Sequence, residues 1–250
     1  MESFPLLLGL FFLAALVYSM AGLAGGSTYL ALLALFSFPY AEMPKAALFC
    51  NLVVSGAGFW IFLRAGHFSP RKVLPFVATS VPAAFLGGRI PIDKTVFLWL
   101  LALSLLAAGL RLLLSEESFV ASREVTWAEA WRIGLPVGAL LGLLSGLVGI
   151  GGGIFLAPVL YFLGWGNAKE VAAATGFFIL VNSLSGLAGQ IAKSGWAIEW
   201  TWAAPLLAAV FLGGQIGSRL GAGKISKPAL RRVTAALILF ASGRLLWGLL

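Results

Sequence analysis

The sequence has one cysteine, one histidine, one aspartate and few charges of either sign; Asp, Glu, Lys and Arg together make up 10% of its 250 residues. A lone Cys50 makes no internal disulfide and excludes a Cys-based zinc or iron–sulfur site within the chain. The lone His67 has no nucleophile and no orienting carboxylate at a recognisable spacing, so the residues offer no catalytic set and the chain is expected not to be an enzyme. Eight Glu and Asp93 all fall in loops or at the ends of apolar runs. None stands mid-run, where a cation path or a proton relay through a membrane places its acid. The phosphate-cradling pattern G-x-x-x-x-G-K-[ST] is missing as well. No cofactor and no metal site is expected.

What the sequence has is apolar side chain: 60% of residues, with a mean hydropathy of +1.00. A soluble domain is roughly 45–50% apolar and about 25% charged. This is the composition of an all-α, polytopic membrane protein. At about 20 residues per crossing, the chain holds about ten crossings and no sizeable soluble domain. The net charge of +8 would suggest nucleic acid in a soluble protein. Here Lys and Arg stand in short loops between apolar runs, as membrane insertion requires, so lipid and not nucleic acid is the expected partner.

Helix starts and stops divide the chain into ten runs. Phe4–Tyr18 is the first. It resembles a signal peptide, but Glu2 stands where Lys or Arg is expected and similar runs follow, so it is read as the first helix. Ala21–Thr28, rich in glycine, separates it from a short second run, Tyr29–Phe38. Further runs start at Pro44, at Ser69-Pro70 and after Asp93, each with a helix-opening residue. Residues 115–130 are the most polar stretch, ending in Thr126-x-x-Glu129, a capping box. Trp131–Val148 follows, then Gly149-Ile150-Gly151-Gly152-Gly153, then a short run, Ile154–Leu163. Asn167-x-x-Glu170 opens the eighth run, Trp196 the ninth, and Ser226 with Pro228 the tenth.

The halves repeat. Ala21-Gly22-Leu23 matches Ser145-Gly146-Leu147, Gly25-Gly26 matches Gly152-Gly153, and Phe85-Leu86-Gly87-Gly88 recurs as Phe211-Leu212-Gly213-Gly214. The organisation read from this is a first repeat over 1–114, a linker over 115–130 and a second repeat over 131–250. Five runs per half, an odd number, make the repeats inverted. If all ten cross, one face collects Arg64, Arg71, Lys72, Arg111, Arg123, Arg132, Lys169, Arg219, Lys224, Lys227, Arg231 and Arg232. The other face receives Lys45, Arg89, Lys94, Lys193 and Arg244. That asymmetry satisfies the positive-inside rule, with both termini outside. Trp127, Trp131, Trp196, Trp200 and Trp202 stand at predicted helix ends as interface anchors.

Glycine interruptions at corresponding places in inverted repeats point to a binding site near the bilayer midplane. Half-helix N-termini there present free N–H groups and a positive dipole end, which suits an anion. Gly25, Gly26, Ser27 and Thr28 supply one side and Gly151, Gly152 and Gly153 the other. Asn51, Thr175 and Asn182 are the polar residues inside long runs expected to line the path, with Ser55, Ser183 and Gln190 nearby in the same runs. Gly87, Gly88, Gly213 and Gly214 are read as close helix packing. Cys50 is read as a small packed hydrophobe.

These motifs resemble the sulfite exporter TauE/SafE family of integral membrane transporters. The resemblance rests on Ala21–Thr28, on Ser145-Gly-Leu-Val-Gly-Ile-Gly-Gly-Gly-Ile-Phe-Leu-Ala-Pro158, on the helix starts Lys45-Ala-Ala-Leu-Phe-Cys-Asn51 and Val171-Ala-Ala-Ala-Thr175, and on the Phe-Leu-Gly-Gly blocks. The first half departs from the pattern in its shortened glycine cluster and in Cys50, where Thr is common. The resemblance implies export of sulfite or an organosulfonate. The residues alone imply an anion-compatible secondary transporter in the plasma membrane, driven by an ion gradient (H+ or Na+) or a partner, and open to forming an oligomer. A passive anion channel and a membrane-embedded enzyme or assembly subunit are the competing readings.

Overall fold

In lipid only a helix satisfies all the backbone N–H and C=O groups of one isolated segment, so apolar runs of this kind become helices. The computed structural model describes residues 4–20, 22–114, 126–196 and 198–221, with 239, 242, 243, 246, 247 and 249 near the end. Among these residues the chain is all-α with no strand. The helices are α1 (Phe4–Met20), α2 (Gly26–Leu35), α3 (Met43–Arg64), α4 (Pro70–Arg89), α5 (Lys94–Leu114), α6 (Trp127–Val148), α7 (Gly153–Phe162), α8 (Ala168–Ser194) and α9 (Trp200–Gly221). Most of the tenth run, with residues 115–125 of the linker, lies outside the described residues. Ser242 in that run is helical and donates its hydroxyl to the Ala102 carbonyl of α5 at 2.9 Å.

The sequence signals set most boundaries. Asn167 and Glu170 form a complete capping box at α8. Thr126 accepts from the Glu129 N–H at 3.3 Å, so α6 starts at Trp127, inside the stretch read as linker. Asp93 accepts from the Thr95 N–H at 2.7 Å, a bond that holds its carboxyl below the usual range. Ser69 occupies the N-cap of α4 without a side-chain capping bond; Pro70 opens that helix. One boundary differs more. Gly26, Ser27 and Thr28 form the first turn of α2 instead of preceding it, because Gly25, at φ 95°, turns the chain into the helix three residues sooner.

Helices α3, α6, α8 and α9 are long and apolar enough to cross a bilayer. Helices α2 and α7 have 10 residues each, about 15 Å against a hydrocarbon core near 30 Å. They are half-helices. Helices α3 and α8 run antiparallel, with Phe49 against Trp196 at 5.8 Å and Phe59 against Phe177 at 5.1 Å. Helices α4 and α6 run parallel, as do α1 and α9. The helix ends therefore sort onto two faces. Arg64, Arg71, Lys72, Arg132, Lys169 and Arg219 mark one, and Lys45, Arg89, Lys94 and Lys193 the other. The described helix ends fit the parity of the ten-run reading, each half-helix returning the chain to the face from which the preceding helix set out; most of the tenth run lies outside the described residues.

Two cores result, and each mixes the halves. One joins α1, α2, α3 and α5 to α9 through Leu7, Phe11, Tyr29, Val54, Leu101, Leu206 and Val210, and reaches Val148, Ile150, Ile154 and Ile179 around the second break. The other joins α6, α7 and α8 to α4 through Phe76, Leu141, Leu156, Trp165 and Phe178. The fourth helix of each repeat, α4 or α9, has joined the other repeat's core.

Lipid tails are as apolar as leucine, so close packing and interhelical hydrogen bonds hold such cores together. A stripe absent from the sequence reading does this here. Gly134, Gly138, Gly142 and Gly146 recur every fourth residue on α6, and a Cβ at each would strike α4 at Pro75, Phe76, Ser80 and Ala84 respectively. Gly213 and Gly217 meet Phe12 and Leu16 of α1 in the same way, and Gly87 and Gly88 meet Leu143 and Gly186. The packing role expected for Gly87, Gly88 and Gly213 is what their surroundings require; Gly214 meets Val54 less closely, at 3.3 Å. Thr79, Ser185 and Gln190 add bonds across helices to the carbonyls of Leu135, Val81 and Gly146. Gly142→Val is expected to part α4 from α6, at a cost of about 1–3 kcal/mol. Thermal unfolding in detergent measures this, and an unchanged midpoint contradicts the stripe.

Candidate functional site

The breaks after α1 and α6 are where the backbone leaves helical geometry. Gly22 (φ 74°) and Gly149 (φ 86°) stand just past the two helix ends, so the structural partner of Gly22 is Gly149. Gly146, its match in sequence, lies inside α6. The second half carries its helix further before breaking, which absorbs the three extra residues between Gly146 and Gly152.

The breaks meet at Asn51, about 12 Å along α3 from Met43. Asn51 is fully buried, and its Nδ2 donates to the Ile150 carbonyl at 3.1 Å. That carbonyl belongs to the unwound 149–152 segment, which has no helix to satisfy it. A Cβ at Gly26 would lie 2.5 Å from both Asn51 Nδ2 and the Ile150 oxygen; one at Gly151 would lie 2.7 Å from Asn51 Nδ2 and 3.0 Å from Ser183 Oγ. Glycine at both positions is what allows the amide to bridge the two breaks.

The half-helix N-termini differ in their surroundings. In α2 the first N–H used by the helix is that of Tyr29, on Gly25, which leaves the N–H groups of Gly26, Ser27 and Thr28 without a helical acceptor. A small cavity opens there, with room for about one water molecule. Tyr18, Gly25, Gly26 and Ser27 line it on one side, and Ile150, Ile154 and Ile179 on the other. The N-terminus of α7 is covered, since Gly152 faces the Phe178 ring and Gly153 faces Ile179.

The ten residues read as a site thus fall into four groups. Gly25, Gly26 and Ser27 border the cavity, and Asn51 and Gly151 form the bridge behind it. Gly152 and Gly153 hold the second break, packed against apolar rings and side chains. Thr28, Thr175 and Asn182 point elsewhere: Thr28 bonds Tyr18 at 2.9 Å, Thr175 bonds the carbonyls of Val171 and Ala172, and Asn182 Nδ2 bonds the Phe178 carbonyl. The bonds of Thr175 and Asn182 lie within their own helix, a common use of polar side chains in apolar helices. Asn51 Oδ1, Asn182 Oδ1 and Ser183 Oγ are buried and accept no hydrogen bond. Sequence reasoning missed Tyr18 and the three isoleucines. Tyr18 carried a usable signal, a phenol at the end of an apolar run one step from the glycine break. No group of three or more His, Cys, Asp or Glu able to hold a metal occurs among the described residues.

Half-helices meeting across a buried amide, among helices long and apolar enough to cross a bilayer, fit a multi-pass membrane protein. The family model for the sulfite exporter TauE/SafE matches residues 7–245, and the chain belongs to that family. It is 35% identical over 240 residues to the probable membrane transporter protein y4hK of Sinorhizobium fredii, covering 95% of this chain and 96% of that one. Partial matches are the probable membrane transporter protein YunE of Bacillus subtilis, 25% identical over 48% of this chain and 43% of that one, and the sulfite exporter TauE/SafE family protein 1 of Arabidopsis thaliana, 38% identical over 45% and 24%. No solved structure matches. The plasma membrane is its place.

Asn51→Ala leaves the buried Ile150 carbonyl without its donor, a loss of about 1–3 kcal/mol. Hydrogen exchange over residues 149–153 is expected to rise about tenfold or more in Asn51→Ala, since each 1.4 kcal/mol is a factor of ten. Ser55→Ala serves as control, because the Ser55 hydroxyl bonds only the Asn51 carbonyl of its own helix. Equal exchange in both variants contradicts the bridge.

Proposed function

We propose that the chain exports a small oxyanion, sulfite or an organosulfonate, by alternating access, and that the anion is held at the α2 N-terminus by backbone N–H groups with Ser27 and Asn51. The observation that carries this reading is the meeting of two glycine-broken half-helices at a buried amide. A half-helix N-terminus offers N–H donors and a positive dipole end without introducing a formal charge into the membrane. The absence of any carboxylate at mid-depth among the described residues agrees with an anion and opposes a cation as cargo.

The moving units in this proposal are the two mixed cores, with the antiparallel α3–α8 pair as the seam between them. Glycine contacts bind α4 to α6 and α1 to α9 closely, so those pairs move as units. The seam has fewer such locks. Phe59, Phe68 and Phe177 close it toward the positive face, with ring centroids 4.9–5.1 Å apart, and Phe49 with Trp196 and Trp200 closes it toward the other. An oxyanion is larger than the one-water cavity, so binding requires the seam to widen on one side at a time.

The test is sulfite and sulfoacetate flux in proteoliposomes, with and without imposed H+ and Na+ gradients, against empty liposomes. Saturable flux with counterflow is expected, falling at least tenfold in Gly26→Ala and Gly151→Ala while folding persists. Non-saturating flux indifferent to both gradients overturns alternating access in favour of a channel. No flux of either anion overturns the substrate class.

A further inference from the structure

The connection between α3 and α4, residues 65–69, lies across the positive end of the α3–α8 seam. On the α3 side it leaves the helix by a tight turn, in which the Gly66 N–H donates to the Leu63 carbonyl and the His67 N–H to the Phe62 carbonyl, each at 3.1 Å. Gly66 sits at φ 75°, and a Cβ there would meet nothing within 4 Å. The turn therefore has glycine's backbone freedom and no neighbour at that point to hold it. The α4 side is held. Lys72, in the first turn of α4, pairs with Glu170, in the first turn of α8, at 3.1 Å. The same Glu170 oxygen accepts the Asn167 N–H at 3.0 Å, so the capping box of α8 fixes the carboxylate in position. Between the turn and the ion pair stands Phe68. Its ring centroid lies 4.9 Å from that of Phe59 on α3 and 5.1 Å from that of Phe177 on α8. It also packs on Phe62, Ala172 and Ala173, the buried side chains at this end of the seam.

We propose that this connection is the gate of the positive face: Phe68 is its plug, Gly66 the joint on which the plug swings, and the Lys72–Glu170 pair the latch that keeps it seated. A ring that touches both walls of a seam loses one of them when the seam widens. With the latch closed, Phe68 stays against Phe177, and only its contact with Phe59 breaks. With the latch open, the ring leaves both walls and the seam is unplugged. Beneath the plug, about 9 Å along α8 from Glu170, Gly176 faces Phe59 and the Gly22 carbonyl. An unplugged seam thus leads to the first glycine break. The inference rests on the alternating-access reading above, in which the seam widens, and adds the part that governs widening on one face.

Thiol accessibility tests the gate without any substrate. The single native cysteine is removed by Cys50→Ala, and Gly176→Cys places one thiol below the plug, where a Cβ makes contacts of 3.6–3.8 Å and no clash. The rate at which a membrane-impermeant thiol reagent, added on the positive face of vesicles, modifies this thiol is the readout. A partly exposed ion pair is a modest latch, so Lys72→Met and Glu170→Gln are each expected to raise the rate about threefold, and the two together no further. Lys72→Arg keeps the charge and is expected to stay near the starting rate. Phe68→Ala removes two ring contacts and is expected to raise the rate about tenfold with the latch intact. Glutamine also serves in a capping box, so Glu170→Gln keeps the start of α8 and reads the ion pair alone. Arg71→Met, which removes an exposed neighbouring charge, is the control. An unchanged rate in Phe68→Ala, or in both Lys72→Met and Glu170→Gln, overturns the gate, as does an equal rise in Arg71→Met. Rates that rise as expected without any sulfite flux keep the gate and overturn the substrate class instead.

Discussion

Backbone that leaves a helix at mid-membrane depth has no water to bond, and that constraint shapes the whole fold. Such backbone is tolerated only where protein surrounds it and supplies its partners. The two breaks satisfy this by turning toward each other. The Ile150 carbonyl takes its hydrogen from Asn51, and the first break is shielded by the second half where Gly22 lies against Ala172 of α8. The second break answers in kind, with Gly149 lying against Pro44 at the start of α3.

Glycine does two opposite jobs here. At Gly25, Gly149, Gly151 and Gly152 a positive φ ends or begins helices, and the backbone turns in a way that other residues rarely adopt. On α6, at Gly134, Gly138, Gly142 and Gly146, glycine continues a helix and removes only the side chain, so that α4 approaches to backbone contact. The first use creates exposed N–H groups; the second makes the scaffold stiff enough to hold them in place. A site built from backbone dipoles needs both, because its donors cannot be repositioned by a change of rotamer.

How much of this was legible in the sequence follows the same division. The caps, and the sorting of charge over the described helix ends, were readable, because Asn167 with Glu170, Thr126, Asp93 and the loop lysines and arginines act locally. The glycine breaks were readable as clusters. Their pairing was not: matching Gly22 to Gly146 follows residue identity, whereas the structure pairs Gly22 with Gly149, because where a helix ends depends on what lies against it. Thr175 and Asn182 illustrate a second limit. A polar residue in an apolar run looks like a ligand, yet both spend hydrogen bonds on their own helix, and no sequence pattern tells that from a side chain facing the path. The α6 stripe has a clear four-residue period, but its meaning depends on α4 lying there.

Pseudo-symmetry and chemistry also part company at the breaks. Two inverted repeats would present two equivalent half-helix N-termini, each open to ligand. The chain keeps the frame and discards the equivalence. Around α2 stand Tyr18, Ser27 and Asn51, all able to bond. Around α7 stand Phe178 and Ile179, which seal Gly152 and Gly153 against any ligand. One open N-terminus stands opposite a wall of Ile150, Ile154 and Ile179, so the small cavity between them has a polar side and an apolar side. A cavity of this shape presents its donors from one direction only.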